Sequence, residues 1–415
     1  RGISLIEILL KVVTAVATRR TVAALEKAEF FRQEQGGFRS EEECIAQVIA
    51  LHEVCRRRRE EGSNTYLFFA DMRKAFDVVS HAAVLSKLKE AGVHGKMMDF
   101  FLGLYRNPRF QCRSGKDLSD GVKLSRGLRQ GCNASPSLFL VFINDIMDAA
   151  ERSGLGVDLP RLTQNDIDNG VVKKLVGLLF ADDSVGAAQN YNDITRVVGF
   201  MEAWAGVFGM SFGLTKCAIM VVQGKGKPLE TKRDIFLCGE AIPWESEYEY
   251  LGLWFNEELD KSKMVKELAK KIGTKSLPAM RKMVGGACIP LALRLRAVKS
   301  LLIPALTYGG ELFGLHGTAS KSTAPALVRE LESVLNSALF MISKGSWSAS
   351  SRSLAAVNTL RRDWQIPSVE AVWAGKCARA LVKFRFSKGW VAEVMKHAPP
   401  QKGAKKGWQE AARST

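Results

Sequence analysis

Phe69-Ala-Asp-Met-Arg-Lys-Ala-Phe-Asp77 follows the apolar residues 66–68, so an acidic residue stands where an apolar run ends. A short aromatic run predicts a buried strand, which would end at Asp71. The apolar residues 176–181 precede Asp182-Asp183 and a second short run, so they predict a hairpin with the acidic pair at its turn. Unpaired carboxylates are costly to bury inside a strand. Acidic residues at two strand ends therefore indicate a shared site for divalent cations, which take oxygen ligands.

The order of the elements around this stretch predicts an α+β fold. Ser80 is a suitable N-cap for a helix that Gly92 would close. A second helix, from Asp193, has apolar residues at helical spacing and stops at Gly209, and the strand 217–222 follows. The predicted order is strand, helix, insertion, hairpin, helix and strand. This order predicts a ferredoxin-like sheet with an insertion after its first helix.

Helices are also predicted outside this sheet. The apolar residues 3–17 begin a predicted helix over 3–30, and the charges within them indicate a buried helix rather than a signal peptide. Residues 134–150 predict one long apolar helix. Residues 96–125 predict a helix and a basic hairpin, and residues 155–174 predict an exposed insertion.

The charge balance indicates a polyanionic partner. Sixty basic and 43 acidic residues give a net charge of +17, which favours nucleic acid and leaves a membrane surface as the alternative. The eight cysteines show no C-x-x-C spacing, which argues against a zinc knuckle or a disulfide framework. Because no apolar run reaches about 18 residues, no membrane span is expected. We expect a chain that is neither secreted nor membrane-bound, and the missing initial Met suggests a fragment.

Seven motifs, in order over residues 1–255, resemble those of non-LTR (LINE-type) retrotransposon reverse transcriptases. Residues 69–77 resemble the motif in which Ala-Phe-Asp follows a metal-binding Asp, and Phe180-Ala-Asp-Asp183 resembles the signature tetrapeptide. Gly127-Leu-Arg-Gln-Gly-Cys-Asn-Ala-Ser-Pro-Ser-Leu-Phe139 is similar to the R-Q-G-x-x-x-S-P-x-L-F element, although Asn133-Ala134 replace a frequent Pro-Leu. The remaining matches are Arg1–Leu5, Gln35–Arg39, Gly213–Lys216 and Tyr250–Leu253.

The resemblance implies a right-hand polymerase: fingers, a ferredoxin-like palm and a helical thumb, with a helical C-terminal extension. The implied boundaries are fingers 1–62, palm 63–94, fingers/palm insertion 95–133, palm with the primer-grip hairpin 134–255, thumb 256–345, and extension with a basic tail 346–415.

The resemblance also implies two Mg²⁺ or Mn²⁺ ions. Asp71 and Asp182 would ligate both ions, Asp183 would assist, and the Met72 carbonyl would lie near the ion that carries the triphosphate. Since adjacent strand residues point to opposite faces, we expect only Asp182 of the pair to face the ions squarely.

The implied nucleotide contacts are Arg1 on the triphosphate, Phe76 under the sugar, Gln130 and Gly131 along the nucleotide, and Lys216 at the leaving pyrophosphate. Phe76 would exclude a 2′-hydroxyl, because its ring leaves no room for the extra oxygen. The alternative for Phe76 is a core phenylalanine without a role in catalysis, and the alternative for Lys216 is an ordinary surface lysine.

The implied template and primer contacts combine motif residues with basic ones. Arg39 would touch the template, Ser135-Pro136 would start the helix beneath it, and the hairpin turn would grip the primer. Simple capping is the alternative at Ser135-Pro136, and a solvated helix face is the alternative for the lysines of 261–275. The candidates are Arg39, Ser135, Pro136, Tyr250, Leu251, Gly252, Lys266 and Lys270.

The implied function is RNA-directed DNA polymerisation from dNTPs, extending a primer 3′-OH on an RNA template by target-primed reverse transcription. A nick in DNA would supply the primer, and the endonuclease would lie elsewhere in the parent polyprotein. The enzyme would act in nucleus and cytoplasm as a ribonucleoprotein. The alternatives are an inactive or domesticated RNA-binding remnant, a maturase-like or telomerase-like enzyme, and an RNA-templated RNA polymerase.

Overall fold

The computed structural model describes residues 4–159, 174–284, 288–313, 323–344 and 354–396. The chain forms two compact units. The first contains Arg1–Gln47, Glu61–Glu245 and Lys388–Trp390, and the second contains Val48–Glu60, Ser246–Ser387 and Val391–Thr415. Of the predicted exposed insertion over 155–174, residues 160–173 lie outside the described residues, as does the predicted basic tail. Leu155, Val157 and Leu159 are buried, so the predicted exposure is wrong for that end of the insertion.

The helices, in chain order, are α1 Ile8–Lys27, α2 Cys44–Glu60, α3 Ala75–Val78, α4 His81–Glu90, α5 Gly95–Arg106, α6 Ser135–Ile143, α7 Asp148–Arg152, α8 Tyr191–Phe208, α9 Lys261–Lys271, α10 Leu277–Val284, α11 Leu291–Ala297, α12 Ile303–Leu306, α13 Gly310–Phe313, α14 Thr323–Lys344, α15 Leu354–Asp363, α16 Val369–Lys383 and α17 Trp390–Lys396. The strands are β1 Thr65–Asp71, β2 Arg109–Phe110, β3 Arg113–Ser114, β4 Asp117–Leu118, β5 Val122–Lys123, β6 Val157–Asp158, β7 Lys174–Leu175, β8 Gly177–Phe180, β9 Asp183–Ala188, β10 Ala218–Val222, β11 Phe236–Leu237, β12 Glu240–Ala241, β13 Glu247–Tyr250 and β14 Leu253–Asn256.

The central sheet of the first unit has the strand order β10-β1-β9-β8, and all neighbours are antiparallel. The first strand in the chain is flanked by the last and the third, which is the ferredoxin-like order predicted from the sequence. Helix α8 packs on this sheet at Gly186, where an added Cβ would lie 2.7 Å from Val197 Cγ1. The predicted caps also form, because Ser80 accepts from Ala83 N and Gly209 adopts φ +63°.

The predicted helix over 134–150 is two helices, α6 and α7. Between them, the Asn144 amide accepts a hydrogen bond from Arg32 N at 3.1 Å and donates to Phe30 O at 2.9 Å. These bonds tie the break to the backbone that follows α1. The prediction of one continuous helix was wrong because the break is set by contacts more than 110 residues away in the chain.

Helix α1 is inverted relative to an ordinary amphipathic helix. Its buried face carries Thr14, Thr18 and Thr21, and the hydroxyls of Thr14 and Thr18 have no hydrogen-bond partner among the described residues. Its outer face is aliphatic, so the predicted burial of this run is wrong for that face. The outer residues, with their exposed fractions, are Ile8 79%, Leu9 80%, Val12 57%, Val13 52% and Val16 46%.

The second unit contains the hairpin β13–β14 and the helices from α9 to α16. The hairpin turn at Leu251 is fixed within this unit, because Tyr308 Oη donates to Leu251 O at 2.7 Å. After Val48–Glu60, the chain returns to this unit at Ser246, whereas the predicted palm extends through the hairpin to residue 255. Residues Val48–Glu60, which the sequence analysis assigned to the fingers, also belong to it.

His52 makes the stability of the second unit sensitive to acid. It is 4% exposed, and burial, together with the charges of Lys261 and Arg56, lowers the pKa of its imidazole to about 3. Since the unfolded chain takes up a proton near pH 6.5 and the folded chain does not, stability is lost as pH falls from about 6.5 towards 3. Glu53, whose pKa its arginine partners lower to about 2 against the opposing effect of burial, adds to this loss only below about pH 4.5.

We expect the free energy of unfolding to fall by about 2 kcal/mol between about pH 7 and about pH 5 because of His52. Urea titrations at the two pH values measure this change. His52→Gln should remove most of it, and a His52→Gln chain with the same pH dependence as the wild type would contradict the assignment.

Candidate active site

The sheet brings the two acidic strand ends together. Asp71, the last residue of β1, pairs directly with Asp183, the first residue of β9, and Asp182 lies in the turn that joins β8 to β9. Residues directly opposite on antiparallel strands have their Cβ atoms about 4.5–5.5 Å apart. The register therefore places three carboxylates at one end of the sheet, as the sequence predicted. That Asp182, rather than Asp183, faces the metal ions squarely stays a prediction.

The surroundings of Asp71 fit a cation. Lys216 Nζ lies 3.5 Å from Asp71 Oδ2, so the carboxylate already attracts one positive charge. Gly213 leaves room beside it, since an added Cβ would lie 2.9 Å from the same oxygen. The three carboxylates share one end of the sheet, but among the described residues no three His, Cys, Asp or Glu side chains lie close enough together to form a complete ligand set. Carboxylate oxygens are the type of ligand that Mg²⁺ and Mn²⁺ prefer.

The turn before the acidic pair is conformationally unusual. Ala181 is 5% exposed and has φ +59°, in the left-handed region that disfavours residues with a Cβ by about 1–2 kcal/mol. Such a conformation persists only where neighbouring groups hold it. Gln35 and Gly37 contact Ala181 directly. Both residues belong to a motif of the predicted fingers, and their local sequence pattern carries no signal for this contact.

Phe76 is half-buried beside the acidic sheet end. Its ring stacks on Phe139, with centroids 4.4 Å apart and an interplanar angle of 18°, and meets Phe38 edge-on at 6.4 Å. Its carbonyl accepts from Leu128 N at 2.8 Å. The ring is therefore held in one orientation while part of it stays accessible, which is compatible with a steric role.

The loop that carries Gln130 and Gly131 is tied to the segment after β1. Gln130 Nε2 donates to Asp77 Oδ1 at 2.7 Å, and its carbonyl accepts from Ser4 N at 2.7 Å. Gly131 is exposed and has φ +109°, a conformation that only glycine adopts readily. Arg1 lies outside the described residues.

Three of the proposed template contacts have structural roles in this fold. Ser135 is 2% exposed, and its hydroxyl donates to Arg129 O at 2.7 Å, while Pro136 lies in the first turn of α6. Arg39 is 8% exposed and pairs with Glu26 at 2.9 Å. The Arg39 guanidinium also donates to two backbone carbonyls, of Arg32 and Gln35, and lies over the Phe31 ring. This geometry argues against the predicted template contact of Arg39, since its donors are already bound inside the protein.

The primer-grip candidates belong to the second unit. Tyr250 is 2% exposed, and Leu251 and Gly252 form a turn with φ of +48° and +83°. On α9, Lys266 is exposed, and Lys270 is exposed beside Glu267 at 3.4 Å. Lys261, in the same lysine-rich stretch, instead donates to Leu312 O, and burial lowers its pKa to about 8. Contacts of these residues with primer or template stay predictions.

Residues 109–123 form the predicted basic hairpin, built from β2 to β5 and exposed along its whole length. Arg109 lies directly across from Lys123, and Phe110 lies across from Val122 on the other face. Like charges directly opposite on a ribbon are destabilising by about 0.2–1 kcal/mol. A polyanion bound across the pair would remove this repulsion.

Fold and site together define a polymerase of the palm type, and residues 1–255 match the reverse transcriptase (RNA-dependent DNA polymerase) family, to which the chain belongs. The relatives are reverse transcriptases of non-LTR retrotransposons, as the motifs predicted. Enzymes of this family generally use divalent metal ions.

Three relatives show how far the similarity extends. The chain is 27% identical over 217 residues to the Pol polyprotein of type-1 retrotransposable element R2 from Nasonia vitripennis, covering 50% of this chain and 20% of that protein. It is 23% identical over 341 residues to the Pol polyprotein of element R2DM from Drosophila melanogaster (81% and 29%). It is 22% identical over 320 residues to the RNA-directed DNA polymerase of mobile element jockey from the same species (76% and 33%). The chain thus spans about a fifth to a third of these relatives.

Among solved structures, the chain is similar to apo telomerase from Candida tropicalis, with a TM-score of 0.42 and 10% identity over 91% of this chain and 59% of that one. It is also similar to Candida albicans telomerase in complex with a telomeric RNA fragment, with a TM-score of 0.36 and 11% identity over 94% and 57%. No helix among the described residues is long and apolar enough to cross a membrane.

Proposed function

We propose that this chain is the polymerase core of a non-LTR retrotransposon protein and extends a primer 3′-OH on an RNA template by nucleotidyl transfer. The observation that carries the proposal is the register that sets Asp71 opposite Asp183 and next to Asp182. Carboxylates at the ends of two neighbouring strands provide the oxygen ligands for a pair of divalent cations.

The protein's own groups have distinct roles in the proposed reaction. Bound divalent ions would stabilise charge on the attacking and leaving oxygens. Asp71 and Asp182 would hold the ions, with Asp183 and the Met72 carbonyl beside them. Lys216, already 3.5 Å from Asp71, is placed to neutralise or protonate the leaving pyrophosphate. Phe76 limits the space beside the sugar, and Gln130 and Gly131 line the nucleotide.

The substrates are those implied by the resemblance to non-LTR retrotransposon reverse transcriptases. The template is RNA, the primer is DNA supplied at a nick, and the incoming nucleotides are dNTPs. The nicking endonuclease lies in another part of the parent polyprotein, and the protein works in nucleus and cytoplasm as a ribonucleoprotein. We assign fingers, palm, thumb and extension to the boundaries predicted from the sequence.

Primer extension on an RNA template tests the proposal. The purified chain, with an annealed DNA primer, dNTPs and Mg²⁺ or Mn²⁺, should lengthen the primer in a template-dependent manner. Chelation of the metal with EDTA should stop extension. Binding of the template–primer without any extension, in either metal, would instead support a domesticated RNA-binding remnant.

The basic hairpin gives a second, independent prediction. Arg109→Gln/Lys123→Gln should weaken binding of nucleic acid and lower the slope of log affinity against log salt by about 2, since each lost phosphate contact lowers it by about 1. Fluorescence anisotropy across a salt series measures both quantities. Lys89→Gln/Arg196→Gln removes the same charge from exposed helix positions elsewhere in the first unit and serves as the control. Equal slopes for the two variants would exclude the hairpin as a binding element.

A further inference from the structure

A segment of the predicted fingers motif forms an extra edge on the sheet. Leu179 N donates to Glu34 O, and Gly36 N donates to Leu179 O, both at 2.9 Å. Gln35 and Leu179 form a parallel bridge. Residues 34–36 therefore pair with the outer side of β8, two residues before the metal-binding turn.

The side chain of Gln35 reaches the turn itself. Gln35 is fully buried, and its Oε1 accepts from Gly37 N at 2.7 Å and from Ala181 N at 3.0 Å. Two backbone donors converge on one amide atom, so that atom must be the oxygen. The bond to Ala181 fixes the peptide that enters the left-handed residue, immediately before Asp182.

Gly37 closes the same contact from the backbone side. A Cβ at Gly37 would lie 2.2 Å from Ala181 N and 3.0 Å from Ala181 Cα, so the two backbones touch. Ala181 thus has an amide acceptor and a close-packed glycine on one side and the sheet on the other. Its strained conformation is set by these groups rather than by its own preference.

We propose that Gln35 is a positioning residue for the metal-binding turn: its buried amide oxygen holds Ala181 in the left-handed conformation and so sets where the Asp182 carboxylate lies. The inference rests on the proposed function in that Asp182 is taken as a metal ligand. It assigns to the Gln-Gly-Gly segment a role at the catalytic centre.

Mn²⁺ binding tests this role without relying on turnover. The site is defined as the Mn²⁺ that wild type binds and Asp182→Asn does not, measured by the loss of the free-ion electron paramagnetic resonance signal. Gln35→Met keeps the side-chain shape but removes the acceptor, and should weaken this binding by about 10- to 100-fold, as loss of outer-shell support typically does. Gln35→Glu, which keeps an acceptor oxygen, should bind more tightly than Gln35→Met.

Gln47→Met is the matched control, because Gln47 is also buried but its amide contacts Glu34 O rather than the turn. If Gln35→Met is too unstable to purify, Gln35→Asn, whose amide is one methylene too short, replaces it. Mn²⁺ affinities that agree for the Gln35 and Gln47 variants would overturn the positioning role while wild-type extension still upholds the proposed function. A wild-type chain that neither binds Mn²⁺ nor extends a primer would overturn both.

Discussion

Asp182→Asn is expected to slow primer extension roughly a thousandfold or more, with template affinity unchanged. The amide keeps the size of the side chain but removes the negative charge, so it loses several kcal/mol of stabilisation where a divalent cation must be held. Asp71→Asn, on the neighbouring strand, should have an effect of the same order. Single-turnover extension with saturating template–primer measures the rate, and fluorescence anisotropy measures the affinity.

Asp99→Asn provides the control for this experiment. Asp99 is exposed on α5, and its replacement makes the same chemical change outside the acidic sheet end. It should leave the extension rate at the wild-type value. Extension by Asp182→Asn at the wild-type rate would show that the chemistry does not use this carboxylate, and the proposed active site would have to be abandoned.

Phe76→Ala is expected to increase the use of ribonucleotides relative to deoxyribonucleotides by roughly 10- to 200-fold, the range that a small steric difference in a pocket usually gives. The physical reason is the fixed ring: stacking on Phe139 keeps Phe76 from turning aside for a 2′-hydroxyl. Without the ring, the extra oxygen has room.

A graded series separates this steric effect from lost packing. Discrimination, measured as the ratio of kcat/KM for a dNTP and the matching rNTP, should fall in the order Phe, Leu, Val, Ala at position 76. Thermal melting of each variant reports the stability that is lost with the stacked ring. A series in which stability falls but the ratio stays constant would leave Phe76 as a core residue only.

Local sequence was enough to predict the sheet and the acidic strand ends. The strands around Asp71 and Asp183 are short apolar runs bounded by polar turns, and the helix before Gly209 has a regular apolar spacing. Each of these signals lies within a single strand or helix, so no distant contact is needed to recognise it. The ferredoxin-like order then follows from the sequence of elements, since few topologies accommodate it.

The contacts that hold the site could not be predicted in this way. Gln35 and Ala181 are 146 residues apart, and the sequence around neither residue indicates that the two are in contact. Arg39 was expected to contact the template, but it pairs with Glu26 on α1. The presence of an arginine in a motif does not show whether its guanidinium N–H groups are already hydrogen-bonded within the protein. Burial of the aliphatic side of α1 was also inferred from composition alone, and the tertiary structure faces the threonines inward instead.

That inverted helix has a consequence for handling the protein. From Ile8 to Val16 the aliphatic strip runs for about 12 Å along the helix axis. Any apolar surface that covers it, such as a second copy of the chain, a detergent tail or the wall of a plastic tube, releases ordered water from the exposed side chains. Contact with such a surface is therefore favourable in free energy. The charge of +17 makes copies repel one another, and salt screens that repulsion while leaving the attraction between aliphatic surfaces intact. Raising the ionic strength to dissociate nucleic acid should therefore promote aggregation of the protein.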